Sequence, residues 1–356
     1  MILRFLICLV LISILTACSG PAYYLQAASG QWKLMHARQD IQSLLDDPTT
    51  EAALAAHLNT ADQLKEFAQS KLDLPGNGSY SSYVEVDGDA LVWNVIATPE
   101  FSLQAKKWCF LVAGCVPYRG FFKQQKAEIS ATRLRNKGMD VIVSPAAAYS
   151  SLGWFKDPLL STMFSGSDIR LAAYLFHELA HQRLYIKDDS FFNEAYASFV
   201  EENGVRAWLE SSQRWDDLQK WQQLQNVGTD FTELVRQLRG ELTALYRTNE
   251  PDTAMRDQKA EIFRSFLESY EQLSAVKWQG KRYYAAWFNE PLNNARLALY
   301  NTYEGGRCAF QQLWDSAGGN PKEFHRLAKQ KSRLQKDQRQ EWLKQTCISI
   351  APQAKL

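Results

Sequence analysis

The chain has 356 residues, of which 46% are hydrophobic and 11 are tryptophan. This composition indicates an ordered, well-packed globular protein rather than a disordered chain. The 40 basic and 39 acidic residues leave a net charge of +1. Such a balanced charge gives no electrostatic basis for binding nucleic acid, so we expect no nucleic-acid partner.

The N-terminus has the pattern of a bacterial lipoprotein signal. A single Arg4 precedes an apolar run from Phe5 to Leu15, and the run is followed by Leu15-Thr16-Ala17-Cys18. We predict that residues 1–17 are removed and that the Cys18 thiol is lipidated. The alternative is an uncleaved transmembrane anchor, for which the apolar run is short. Because Ser19 rather than aspartate follows the cysteine, the sequence favours a periplasm-facing anchor in the outer membrane.

The first half of the mature chain mixes helices and strands. Apolar periodicity predicts two helices separated by Pro48, and Tyr, Val and Trp enrichment predicts a pair of strands bounded by Asp87-Gly88 and Pro99. A further strand, a helix ending at Gly138 and a short apolar strand follow. In chain order the predicted elements are helices 22–47 and 49–72, strands 79–87, 90–98 and 108–116, helix 121–137 and strand 139–145.

From Ser167 onward nearly all of the sequence has helical periodicity. The predicted fold class is therefore α+β and predominantly helical: a small β-sheet in the N-terminal half, a helical active-site core and a helical C-terminal half. We find no internal repeat and no linker. Residues 18–356 are predicted to form a single domain with two lobes, roughly 18–160 and 161–356.

Four cysteines remain once Cys8 leaves with the signal and Cys18 is lipidated, which is an even number for an oxidising compartment. Three pairings of Cys109, Cys115, Cys308 and Cys347 are possible. We favour Cys109–Cys115, across a short loop that contains Gly114, and Cys308–Cys347 between C-terminal helices. The alternative, a cysteine zinc site, lacks C-x-x-C spacing.

The strongest functional motif is His177-Glu178-Leu179-Ala180-His181, an H-E-x-x-H sequence. Histidines four residues apart lie on one face of a helix, so both imidazoles can bind the same ion. Leu171, Leu175 and Leu179 form a neighbouring apolar stripe that can face the core. The intervening Glu178 would then lie beside an open coordination position, where a catalytic zinc keeps water.

The next helix supplies the third ligand. Ser167 can cap the first helix, and Asp189 or Ser190 can cap a second helix whose first turns hold Glu194. An αα-hairpin of this kind brings Glu194 back towards the histidines. Glu201 is the other candidate. Seven residues along a helix separate the two carboxylates by roughly 10 Å in height, so only one can reach the ion.

Asn193-Glu194-Ala195-Tyr196-Ala197-Ser198-Phe199-Val200-Glu201 resembles the N-E-G-x-A-x-x-x-E run of aminopeptidase N-like enzymes, in which the first glutamate binds zinc. Over nearly its whole length the chain also resembles a family of bacterial lipoproteins described as predicted zinc aminopeptidases. This second likeness lies in short segments: Ala17-Cys18, Tyr23 to Gln26, Trp93 to Val95, Trp108 to Phe110, Tyr118 to Gly120, Ala148 to Phe155, Phe176 to Gln182 and Asn293 to Ala295.

The resemblance departs from the pattern in two places. In thermolysin-like and aminopeptidase N-like enzymes eighteen or nineteen residues separate the second histidine from the ligand glutamate. Here twelve separate His181 from Glu194 and nineteen separate it from Glu201. The local motif favours Glu194 as the ligand, with Glu201 supporting the site or meeting the substrate. The G-x-M-E-N run, whose glutamate binds a substrate's free amine in these enzymes, is missing.

The ligand set His177, His181 and Glu194 therefore predicts a zinc cofactor, with Glu178 moving a proton between water and the leaving amine. Related folds stabilise the oxyanion with a residue from a later helix. The region from Asn293 to Tyr303 is our candidate there, and Tyr303 is the proposed donor. The segment around Tyr149 is a candidate edge for pairing with substrate backbone.

Three functions remain open from the sequence. The first is an aminopeptidase acting on periplasmic peptides, with Glu201 or Glu202 binding the substrate amine. The second is an endopeptidase that cuts envelope proteins or cell-wall peptides by the same chemistry. The third is a lipoprotein binding module in which zinc is structural, although an open zinc position argues against it.

Overall fold

The architecture is taken from a computed structural model, which describes residues 20–110, 114–146, 150–151, 155–304 and 306–345. These residues form a mainly helical α+β fold, as predicted. The helices are α1 (Pro21–His36), α2 (Ile41–Asp46), α3 (Ala52–Leu72), α4 (Gln124–Arg135), α5 (Asp168–Arg183), α6 (Ser190–Ser211), α7 (Trp215–Leu245), α8 (Asp252–Lys277), α9 (Asn294–Glu304), α10 (Arg307–Ser316), α11 (Pro321–Ser332) and α12 (Lys336–Leu343).

The described residues of the first half of the chain contain eight short strands, in two three-stranded sheets and one hairpin. They are β1 (Gln39–Asp40), β2 (Ser82–Val84), β3 (Val92–Pro99), β4 (Trp108–Phe110), β5 (Gly114–Val116), β6 (Arg119–Phe121), β7 (Met139–Ala146) and β8 (Leu159–Leu160). In one sheet β3 lies between β6 and β7, antiparallel to both. Helix α4 packs on this sheet through Ala127 and Ala131.

The prediction that residues 79–87 and 90–98 pair with each other is wrong. Strand β2 instead pairs antiparallel with β1 and parallel with β8, and β3 belongs to the other sheet. The two strands bury their side chains in different cores: Tyr83 and Val84 pack with the main helical core, whereas Val95 packs under α4. Similar β propensity therefore did not imply a shared hairpin.

The predicted helix 22–47 is two helices. The chain extends at β1, and Asp40 then caps α2 by accepting a hydrogen bond from the Ser43 backbone N–H at 2.9 Å. This break turns Ile41 into the core. An Asp followed by an apolar residue is an N-cap signal, and it begins a second helix inside a stretch that has continuous apolar periodicity.

The predicted strand 108–116 is a hairpin of β4 and β5, in which Cys109 lies opposite Cys115. The two cysteines form a disulfide, which confirms that pairing. Cys308 is also disulfide-bonded, and its predicted partner Cys347 lies outside the described residues. The predicted lipidation site Cys18 and the whole predicted signal lie outside them as well.

The main core joins α3, α5 and α6 to the C-terminal helices α10–α12. Aromatic rings fill it, with Phe310 between the side chains of α6 and α12: its ring centroid lies 5.3 Å from that of Phe192 and 5.0 Å from that of Trp342. Fully burying each such ring contributes roughly 2–3 kcal/mol. The active-site helices α5 and α6 are therefore held on the side that faces α3 and α10–α12.

A second core lies between α7 and α8, which pack against each other as a long hairpin. Phe231 stacks on Tyr284 with ring centroids 3.8 Å apart. Helix α9 joins this hairpin to the sheet, because the Asn294 amide donates to the carbonyl of Glu100 at 2.8 Å and Ala295 packs on Ile96 and Ile142. Within the described residues, no helix combines the length and the apolar character needed to cross a membrane.

His325 of α11 is a structural histidine in the main core. Its Nδ1 accepts a hydrogen bond from the Tyr196 hydroxyl at 2.7 Å, and its Nε2–H donates to the Leu72 carbonyl at 2.8 Å. Burial lowers the pKa of His325 to about 4. The imidazole is therefore neutral at physiological pH, and protonating Nδ1 would remove the acceptor that Tyr196 uses.

The first prediction concerns stability in acid. In the unfolded chain His325 binds a proton below its ordinary pKa of about 6.5, whereas in the folded chain it does so only below about pH 4. The free energy of unfolding therefore falls by about 3 kcal/mol as the pH is lowered from 6.5 to 4. Urea unfolding in the presence of a chelator should give a free energy of unfolding that depends less on pH between 6.5 and 4 for His325→Gln than for the wild type. His36→Gln, at an exposed position, is the matched control. Equal pH dependence in all three proteins would contradict this assignment.

Candidate metal and catalytic site

Helix α5 presents the H-E-x-x-H motif from a firmly buried backbone. Its core-facing stripe, Leu171, Leu175 and Leu179, is at most 2% exposed, as the sequence predicted. His177 and His181 lie on the adjacent stripe with ring centroids 4.8 Å apart and planes nearly perpendicular. Helix α5 begins after Ser167 as expected, but the Ser167 hydroxyl makes no capping bond, and the helix ends at Arg183.

A short loop returns the chain from α5 to α6. Asp189 caps α6 by accepting from the Phe192 N–H, which confirms one of the two predicted caps. The Asn193 side chain bonds both backbone groups of Ile186: its Nδ2 donates to the carbonyl at 2.8 Å and its Oδ1 accepts from the N–H at 2.8 Å. The asparagine of the N-E-A run therefore fixes the loop, while the next residue, Glu194, faces α5.

Close packing of α5 on α6 sets the height of Glu194. A Cβ atom at Gly204 would lie 2.8 Å from a ring carbon of Phe176 on α5 and 2.9 Å from a methyl of Leu72 on α3. Only glycine allows the three helices to approach this closely. The approach brings α6 near enough for its carboxylates to reach the α5 histidines.

His177, His181 and Glu194 converge as a potential metal-binding group. One ligand atom from each lies within 4.8 Å of the others. The Glu194 Oε2 atom is 3.2 Å from His177 Nε2 and 3.5 Å from His181 Nε2. The structure therefore brings together the three residues predicted as ligands, and it brings them together through the atoms that metal-binding histidines and carboxylates use.

Glu201 contacts the opposite side of the same histidine. Its Oε2 atom lies 2.9 Å from His177 Nδ1. A carboxylate at Nδ1 favours a proton on that nitrogen, so that the Nε2 lone pair would be available to a metal bound between His177, His181 and Glu194. Burial opposes a charge on His177, but the hydrogen bonds to Glu194 and Glu201 outweigh it and raise the pKa of the imidazole. Glu201 was predicted either to support the site or to meet the substrate. In the structure it contacts His177, one of the predicted ligands.

Glu178 lies at the mouth of the site, on the wall of the cleft. Burial raises the pKa of its carboxyl, against the opposing positive charges of His177 and His181. A raised pKa makes a carboxylate a better proton acceptor, which suits general acid–base catalysis. Glu178 is separate from the three converging ligand atoms, as its predicted role requires.

An open cleft of about 1280 Å³ runs beside His177 and Glu178. Side chains from α5, α6, α7 and α10 line it. Four glutamates line it, and three of them have partners: Glu201 bonds His177, Glu202 pairs with Arg307, and Glu233 pairs with Arg236. Aromatic side chains supply much of the remaining surface, namely Tyr174, Phe199, Trp221 and Tyr284.

Three tyrosines that were not predicted from the sequence interact electrostatically with the glutamates of the site. Burial, reinforced by the charges of Glu194 and Glu178, raises the pKa of Tyr118. Burial and then Glu194 raise the pKa of Tyr185 to about 12. Burial and then Glu178 raise the pKa of Tyr80. All three phenols keep their protons near neutral pH and can donate hydrogen bonds. Tyr185 could have been found, because it follows His181 by four residues.

The other predicted residues lie elsewhere or outside the described part of the chain. Asn293 and Asn294, which begin the candidate region for oxyanion binding, bond backbone carbonyls of the sheet region. Tyr300 bonds Thr232 at 2.8 Å. Tyr303 belongs to α9, but its side chain lies outside the described residues, as does Tyr149. Ala146, which ends β7 just before Tyr149, lines the cleft.

The fold and the converging His-His-Glu group agree with a comparison of the sequence with protein families. Residues 22–343 match the family described as "Putative aminopeptidase". The chain belongs to this family, which indicates peptidase activity on peptide substrates. No curated protein matches the chain significantly, and no solved structure does either.

The second prediction separates the two glutamates of α6 by their effect on zinc binding. Glu194→Gln should weaken zinc binding more than Glu201→Gln, because the first removes a charged ligand and the second removes a support worth about 10- to 100-fold in affinity. Competition with a fluorescent chelator measures both. Glu202→Gln, whose carboxylate pairs with Arg307, is the matched control and should bind zinc normally. A larger loss in Glu201→Gln than in Glu194→Gln would reverse the two roles.

Proposed function

We propose that this protein is a zinc-dependent metallopeptidase of the bacterial cell envelope, anchored by Cys18 and facing the periplasm. The observation that carries the proposal is the convergence of His177, His181 and Glu194, with Glu178 beside them on an open cleft. Two histidines and a carboxylate are the ligand set of catalytic zinc sites that keep one position open.

The residues fit zinc in their chemistry as well as their number. Imidazole and carboxylate ligands suit zinc. The Nδ1–H of His177 donates a hydrogen bond to Glu201, and metal-binding histidines usually donate such a bond from the nitrogen that does not bind the metal. When bound, zinc would supply a water of lowered pKa and polarise the scissile carbonyl. A purely structural zinc, the third possibility raised by the sequence, would need a fourth protein ligand to close the site.

Glu178 would move the proton. Its carboxylate takes a proton from the attacking water and delivers it to the leaving nitrogen, so that it acts first as base and then as acid. The raised pKa of Glu178 suits both steps. The developing oxyanion needs a hydrogen-bond donor. Tyr303 stays a prediction for this role, and among the described residues Tyr185 and Tyr118 are phenols on which the charge of Glu194 acts.

The family likeness favours an aminopeptidase, whereas one observation favours an endopeptidase. An aminopeptidase must meet the substrate's cationic amine with a carboxylate, because an unpaired buried charge is costly. The two glutamates proposed for this task from the sequence, Glu201 and Glu202, already bond His177 and Arg307. We propose aminopeptidase activity, in which the substrate amine competes with Arg307 for Glu202, and we keep internal cleavage as the second candidate.

The third prediction tests the chemistry. Glu178→Gln should keep normal zinc content while the rate of cleavage of an unblocked peptide library falls by about 10²- to 10⁴-fold, because only proton transfer is lost. Mass spectrometry of the products measures the rate, and metal analysis measures zinc. Glu241→Gln, an exposed glutamate of α7, is the matched control. Full activity in Glu178→Gln would contradict the mechanism, and loss of zinc would contradict the separation of base from ligands.

The fourth prediction distinguishes the two kinds of peptidase. Acetylating the N-terminus of a cleaved peptide should lower the rate about 10- to 100-fold for an aminopeptidase, the range expected when a hydrogen bond to a charged group is lost. Free and acetylated forms of one peptide are compared, and the products identify the bond that is cut. Equal cleavage of both forms at internal bonds would assign the protein as an endopeptidase.

A further inference from the structure

Helix α1 has an outward face that the fold does not use. Leu25 is 71% exposed and Trp32 is 61% exposed, and they lie seven residues apart, on the same face of the helix. The small residues Ala22, Ala28 and Ser29 lie on this face as well and are also exposed. We call these five residues the outer face of α1. A surface helix normally presents charged and polar side chains to water, and here the two largest are apolar.

The opposite face accounts for the packing of α1 on the protein. Tyr23 contacts the rings of Phe110 and Phe121, each at 5.6 Å between centroids. The Gln26 side chain accepts from the Phe122 N–H at 3.2 Å, and Leu34 is buried in the main core. Because these contacts already hold α1, Leu25 and Trp32 are free to contact something outside the protein.

The charge around α1 favours an anionic partner. From Gly20 to Arg38 the sequence has no aspartate or glutamate, and Lys33 and Arg38 follow at the end of the segment. Both cations are exposed. An apolar helix face with tryptophan, bordered by basic residues, is the pattern of a helix that lies in the surface of a membrane with anionic lipids.

The position of α1 in the chain identifies the partner. Cys18, the predicted site of acylation, precedes the first residue of α1 by three residues. Three residues of extended chain reach at most about 10 Å. If Cys18 carries acyl chains, α1 must therefore begin at the bilayer surface, and a helix of 16 residues extends about 24 Å from there.

We propose that α1 lies flat on the phospholipid surface, with Leu25 and Trp32 inserted at the boundary between headgroups and acyl chains. The inference rests on the lipid anchor of the proposed function. Acyl chains alone would hold the protein near the membrane but leave it free to tilt. A second contact through α1 would fix the orientation of the domain, and with it the direction in which the cleft opens.

The experiment places a fluorophore on the outer face while leaving Leu25 and Trp32 intact. Full-length Ser29→Cys protein, made in bacteria and labelled with an environment-sensitive dye, is reconstituted into phosphatidylethanolamine–phosphatidylglycerol vesicles whose acyl chains carry bromine. Ser265→Cys, at an exposed position on α8, is the matched control. Ser29 lies about 12 Å along the helix from its start, so bromines in the acyl region quench its label only if α1 lies flat.

We expect strong quenching and a blue shift for the label at position 29 and neither for the label at position 265. Adding Leu25→Ser and Trp32→Ser to the Ser29→Cys protein should remove both effects while the protein still floats with the vesicles. If the protein floats but the label at position 29 is not quenched, the proposal is overturned, because α1 then contacts water or a second protein instead of the bilayer. The Cys18→Ser protein should carry no fatty-acid label and should fail to float. If protein that keeps Cys18 behaves in the same way, both the anchor and the docking of α1 are overturned.

Discussion

The packing of α5 against α6 is the constraint on which the rest of the site depends. The two helices carry every residue of the His-His-Glu group and also Glu178. They contact each other more closely than their side chains would ordinarily allow because Gly204 faces Phe176 and Leu72. Asn193 fixes the loop between them by bonding both backbone groups of Ile186. The remaining helices surround this pair: α3 and α10–α12 bury its back, and α7 lines the cleft with it.

This constraint explains the short spacing between His181 and Glu194. A tight loop returns α6 immediately beside the end of α5, so the first turn of α6 is already level with the histidines. A ligand placed one or two turns later has moved past them, and Glu201 accordingly reaches the outer nitrogen of His177 at 2.9 Å. The two α6 carboxylates thus contact opposite nitrogens of one imidazole, which allows one histidine to bind a metal and be oriented at the same time.

Local signals in the sequence predicted the helical half and the convergence of His177, His181 and Glu194. The two histidines followed from their spacing of four on a helix, whereas Glu194 followed from the local motif, because the family spacing alone would have selected Glu201. The strand pairing could not, because β2 and β3 have similar propensities but belong to separate cores, and that choice depends on contacts with β8 and β7, which follow much later in the chain. Tyr80 and Tyr118 were missed for the same reason: they reach the site from the sheet half, and nothing in their local sequence shows it. Tyr303 was chosen by analogy with related folds and Tyr149 as part of an extended edge for substrate, and both choices stay predictions.

The glycine at position 204 also has a consequence for how variation in this protein should be interpreted. It contacts no ligand and does not line the cleft, and by its surroundings it is an interior packing position. A methyl group there would push α6 away from both α3 and α5, and Glu194 and Glu201 would move with it, because a helix shifts as a unit. Loss of metal binding could therefore arise from a residue that looks purely architectural. Along α6, a residue that maintains the packing and the residues that form the site lie only a few turns apart on one rigid helix.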